Sequence, residues 1–117
     1  MSTVNKVSPG KLEKQPYEEF VIAADFSKNM DIAGGEDLVL GSCTVVAEDV
    51  NGDVATTDVT DQATIAIGTG TEQGWLKCLI KAGTVDLTPY KISFRGVTDS
   101  SPAEKWEKDV IVKIKEV

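Results

Sequence analysis

Asp49-Val-Asn51-Gly-Asp53 is the stretch that comes nearest to metal chemistry in this 117-residue chain. Oxygen-bearing side chains at alternate positions beside a glycine are what a calcium loop uses. Here the glycine is misplaced, and the twelfth position counted from Asp49 is Thr60 rather than a bidentate glutamate. Turn formation accounts for the stretch. Gly68, Gly70 and Gly74 could cradle a phosphate, but no Gly-Lys-Ser/Thr follows them, and a loose hairpin loop is the better reading. Asp58, Asp61, Glu104 and Glu107 show no spacing that marks an acid–base pair, so they read as a solvated face. The chain has no histidine, which removes the commonest general base and metal ligand. The expectation is a protein that is not an enzyme, with no catalytic residue, no cofactor and no metal.

Cys43 and Cys78 are too few for a disulfide framework. They read as two buried free thiols acting as small apolar residues, with a disulfide as the alternative. The net charge of -7 argues against nucleic acid, since nothing offsets phosphate repulsion. No apolar run approaches membrane-spanning length, and residues 1–10 lack the apolar core of a signal peptide. The expected setting is a reducing cytoplasm, without secretion. A chain of this length makes one domain that buries roughly 65% of its unfolded surface.

The elements that must position these residues are strands. Tyr90, Ile92 and Phe94 alternate with Lys91, Ser93 and Arg95, and Val110, Val112 and Ile114 alternate with Asp109, Ile111 and Lys113. Period two on both sides of a polar turn is the signature of two half-buried antiparallel strands. Upstream, 18–26 reads as a first strand with Phe20, Ile22, Ala24 and Phe26 on one face. A second strand over 38–47 turns Cys43, Val45 and Ala47 inward, with Leu40 leaving its register open. Asn51-Gly52 is the strongest short turn signal. Short strands follow at 54–59, at 63–67 (Ile65 and Ile67 inward) and at 75–82 (Leu76, Cys78 and Ile80 inward). Residues 1–16 are polar and aperiodic and read as a flexible arm, either frayed or ordered by a partner, ahead of a domain over 17–117. Lys6, Lys11 and Lys14 make that arm mildly basic against an acidic body.

Seven short strands with regular turns predict an all-β sandwich or barrel. Asp86-Leu-Thr-Pro-Tyr90-Lys-Ile92 resembles the tyrosine corner of immunoglobulin-like sandwiches, although Tyr90 also fits an ordinary strand aromatic. By that alignment Cys43 and Cys78 fall on neighbouring strands of one sheet. An Asn51-Gly52 hairpin conflicts with it, because it would pair two strands that the immunoglobulin order places in different sheets. Ile92 sits at the proposed core centre, and Trp106, in phase with Val110, reads as core. Trp75 alternates outward beside Lys77 and Lys81. It is either an interface anchor or, with the register shifted, a core residue.

In order and length these features resemble a family of small phage and prophage virion proteins, of the fibre–tail adaptor or head–tail region type. The matching residues are Lys14-Gln-Pro16, Ala24-Asp-Phe-Ser27, Gly35-Glu36, Asp58-Val-Thr60, Tyr90-Lys-Ile-Ser-Phe94 and Trp106-Glu-Lys-Asp109 leading to Val112-Lys-Ile-Lys-Glu-Val117. The long arm and the long 98–103 turn depart from the family pattern. The resemblance implies an immunoglobulin-like antiparallel β-sandwich of about seven strands without catalysis. Such a protein would be made in the bacterial cytoplasm, assembled into the virion, and work by contacts with other phage structural proteins. Isolated, it would be a monomer or weak oligomer, with Trp75, Lys77 and the arm lysines as contact residues. The alternative is a small immunoglobulin-like module for carbohydrate or another ligand, which needs a concave face bearing several aromatics. Only Trp75 and Tyr17 are candidates for that.

Overall fold

The computed structural model describes the backbone of residues 4–8 and all of residues 10–116. Eight strands form two four-stranded sheets. In chain order they are β1 (Val4–Ser8), β2 (Gly10–Lys14), β3 (Phe20–Asp25), β4 (Thr44–Glu48), β5 (Thr60–Ile67), β6 (Trp75–Ile80), β7 (Tyr90–Val97) and β8 (Lys105–Ile114). A single helical turn, α1 (Thr56–Val59), precedes β5. The sheet orders are β1-β3-β6-β5 and β2-β8-β7-β4. From β3 onward this is the strand order of an immunoglobulin-like sandwich, with the N-terminal chain adding one strand to each sheet. No helix among the described residues is long and apolar enough to cross a membrane.

The alternation read in the sequence becomes the core. Ile22 and Ala24 of the first sheet, with Phe26 just after β3, meet Val45, Ala47, Ile92, Phe94, Val110 and Val112 of the second, all 0–1% exposed. β7 and β8 pair as expected, with Ile92 opposite Val110. Burying each of the Val, Ile and Phe side chains contributes roughly 1.5–3 kcal/mol, which helps offset the chain entropy lost on folding.

Two elements differ from the sequence reading. The expected strand at 54–59 is reduced to one bridge, Glu48 to Val54. The Asn51-Gly52 turn does form, with Gly52 at φ +81 and the Asp49 amide donating to the Asp53 carbonyl at 2.9 Å. The chain then leaves the sheet. The Thr56 hydroxyl accepts the Ala47 amide at 3.0 Å, and α1 carries the backbone across to β5 in the other sheet. The conflict between the hairpin and the immunoglobulin order disappears, because the hairpin stops after one bridge.

The second difference is the arm. Residues 4–8 lie parallel to β3, and 10–14 lie parallel to β8, so the segment expected to be flexible supplies an edge strand to each sheet. In β2, Leu12 packs against the core while Lys11 and Glu13 are exposed, which is the period-two pattern of a strand with one apolar residue. Lys14 points inward at 2% exposure. Its ammonium donates to the carbonyls of Gln15 at 2.9 Å and Glu18 at 2.8 Å, so the buried charge is solvated by the turn it closes.

The tyrosine corner is present, with its hydroxyl bonded to upstream backbone. Tyr90 is 1% exposed, and its hydroxyl accepts the Thr84 amide at 2.9 Å. Asp86, expected to belong to the corner, is exposed in the Val85–Leu87 turn. Tyr90→Phe keeps the ring and orphans the Thr84 N–H. The expected loss is about 1–2 kcal/mol, read as a lower urea midpoint with an unchanged slope. An unchanged midpoint would mean that the hydroxyl contributes nothing.

Candidate protein–protein interface

The outer face of the β1-β3-β6-β5 sheet is where this domain departs from a solvated surface. Along β6, Leu76, Cys78 and Ile80 point into the core at 0% exposure, so Trp75, Lys77 and Leu79 point out. Trp75 is half-buried and lies outside the core cluster, which settles its phase as outward. The paired positions on β3 facing the same way are Val21 opposite Leu79, Ala23 opposite Lys77 and Asp25 opposite Trp75. Ala23 is 0% exposed yet outside the core cluster: its methyl is sheltered among longer outward neighbours. An outward sheet face normally carries polar residues. This one presents Val21, Trp75 and Leu79, each half-buried, with Lys77 paired to Glu72.

Sequence reasoning singled out Trp75 and missed Val21 and Leu79. The missed signal was that β3 and β6 are apolar in both phases, which one-sided alternation does not require.

The other expected site residues are dispersed. Lys11 is exposed on the outer face of the second sheet, and Lys14 is buried at the end of β2, so neither joins Trp75. Lys14 cannot act as a contact residue while its ammonium is held by backbone carbonyls. The backbone of Lys6 is in β1, and its side chain lies outside the described residues. Ile92 is at the core centre as expected. Trp106 packs on the core from its rim, opposite Gly96, and is only half-buried. Tyr17 is 96% exposed in the turn before β3, beyond the opposite end of the β3–β6 ladder from Trp75, so the two do not make one aromatic surface.

The chemical candidates also resolve. The Asp49 carboxylate accepts the amides of Asn51 at 2.9 Å and Asp53 at 3.1 Å, which is turn chemistry. No group of three or more potential metal ligands occurs among the described residues. Gly68 closes the β5–β6 connection by donating to the Trp75 carbonyl at 2.8 Å. Asp58 lies in α1, Asp61 in β5, Glu104 before β8 and Glu107 on β8, so they do not converge. A guanidinium nitrogen of Arg95 sits 2.8 Å from Glu107 and holds that carboxyl below its ordinary range. Both side chains are exposed, and the pair adds little stability.

Both thiols are free and buried, but they occupy different sheets: Cys43 precedes β4 and Cys78 is on β6. Burial pushes the Cys78 thiol up to about 11, and the Cys43 thiol also rises through burial. The fold therefore holds the Cys78 proton more tightly than the unfolded chain does. That stabilisation is complete below the unfolded value near 9 and is lost as pH rises toward 11. Thiol reagents should react slowly with both residues at pH 8 until denaturant is added. Cys78→Ala should lose less stability than the parent between pH 9 and 11. Fast native labelling, or equal losses in the two proteins, would contradict the burial argument.

No family model, no curated protein and no solved structure matches the chain.

Proposed function

We propose that the chain is a non-catalytic contact module that acts by presenting a rigid sheet face to partner subunits. We further propose that it serves as a phage or prophage virion component, made in the bacterial cytoplasm and assembled into the particle. The observation that carries the contact role is the apolar outer face around Trp75, with Val21 and Leu79 beside it. A Trp on a paired strand brings large apolar area at small entropic cost, the usual character of a hot spot. The phage assignment rests on the resemblance carried by residues 14–16, 24–27, 90–94 and 106–117.

Trp75→Ala should weaken assembly by about 2 kcal/mol or more, roughly 30-fold in affinity. Incorporation into particles, measured beside the melting temperature of the free protein, tests this. A large drop in melting temperature with unchanged incorporation would make Trp75 a stability residue and end the interface assignment.

A further inference from the structure

Two patches of opposite charge adjoin at the end of the sandwich where β7 begins. The first is a groove of about 580 Å³ on the outer face of the second sheet, walled by Lys11, Lys113, Ile111 and Pro89, with Glu13, whose carboxylate is paired with Lys115, at one side. Lys11 lies opposite Ile111 across the β2–β8 ladder, so the cation and the apolar side chain share one row. Neither Lys11 nor Lys113 forms an ion pair among the described residues, whereas the nearby Lys91 and Lys115 are paired with Glu48 and Glu13.

The second patch lies between the β4–α1 and β6–β7 connections. It is a groove of about 370 Å³ with Val54 and Leu87 on its walls and the carboxylates of Asp49 and Asp58 beside them. Val54 in it is 83% exposed, and Val50 and Val85, the chain neighbours of the lining residues Asp49 and Thr84, are 51% and 39% exposed. Asp49 and Asp58 make no ion pair among the described residues either. The patches are contiguous. The Val50 amide donates to the Leu87 carbonyl at 2.9 Å, and Pro89, two residues further on, lines the basic groove.

Adjoining patches that complement each other are what a two-fold contact between identical chains requires: the acidic patch of one copy meets the basic groove of the other, and the reverse. We propose that this end of the domain is a self-association surface and that its occupant is a second copy of this chain. The Lys11 and Lys113 groove receives the Asp49, Asp58 and Val54 edge of the partner. The contact is small and charge-rich, so the dimer is weak and salt-sensitive. It uses a different face from Trp75 and stands whether or not the virion reading does.

The experiment is sedimentation equilibrium of the full chain up to about 1 mM in low salt, with folding of each variant checked by circular dichroism. The expected result is a reversible shift toward twice the monomer mass that 0.5 M sodium chloride reverses. Lys11→Glu/Lys113→Glu and Asp58→Lys should each be monomeric, because each places like charges across the two-fold. Mixed together, they should recover a one-to-one heterodimer in which both contacts are again attractive. Val54→Asp, at an open position where folding is not at stake, should also abolish the shift. A parent that stays monomeric at 1 mM overturns the proposal. So does a Val54→Asp variant that still dimerises, or folded charge variants that fail to recombine.

Discussion

Ile92→Ala is expected to lower the unfolding free energy by about 2–5 kcal/mol, read as a fall in urea midpoint with the slope preserved. Ile92 is 0% exposed and sits at the middle of the second sheet, opposite Ala47 on β4 and Val110 on β8. Both of its cross-strand neighbours are themselves 0–1% exposed. The two sheets face each other across this point, so little can collapse into the space that truncation leaves. Lost transfer energy and cavity then add. Lys91, one residue earlier and facing out, provides the contrast: Lys91→Ala should change stability by less than about 0.5 kcal/mol. Equal effects at the two positions would mean that β7 does not separate a core face from a solvent face.

That separation is the part of the fold most legible in the sequence. Period two in β7 and β8 survives because each strand has one buried side, and shifting it by one residue would turn every side chain over. The pattern of β3 was equally readable. What could not be read was where the first strand of the sandwich lies. Residues 10–14 carry only Leu12 as an apolar inward residue, and an edge strand needs little more when its neighbour supplies the hydrogen bonds. Missing β1 and β2 moved every early strand one place along the immunoglobulin order. Losing the expected strand at 54–59 to α1 brought the later ones back into step. This is why Cys78 falls where the sequence places it while Cys43 falls in the opposite sheet.

The apolar face around Trp75 was half legible for a related reason. Reading each strand for its single inward phase finds Leu76, Cys78 and Ile80 and sets Trp75 aside as an oddity. It passes over Val21 and Leu79, which stand beside Trp75 only once β3 and β6 are paired in register. Adjacency across strands is a product of the ladder and is not encoded in local spacing. Lys14 shows the same limit from the other side. A lysine in a polar segment reads as solvated, and only the turn after β2 brings backbone carbonyls round its ammonium.

Gly83→Ala is the other substitution with a large expected effect, at a position where the sequence marks only a turn. Gly83 adopts φ +138, a conformation that side chains rarely take. A Cβ built there would collide with Cδ1 of Ile114 and approach the Tyr90 ring at 3.2 Å. Ile114 is 1% exposed and Tyr90 is pinned by its hydroxyl to the Thr84 amide, so neither can withdraw cheaply. Backbone strain of about 1–3 kcal/mol and overpacking of similar size should combine to a loss of about 2–6 kcal/mol. Gly52→Ala separates the two contributions. Gly52 also has positive φ, +81, but nothing lies within 4 Å of an added Cβ. It should lose only the conformational part, about 1–2 kcal/mol. Urea denaturation of both variants gives the difference, which measures the steric part. If Gly83→Ala costs no more than Gly52→Ala, the close packing of Gly83 against Ile114 and the tyrosine corner is not what holds the β6–β7 connection in place.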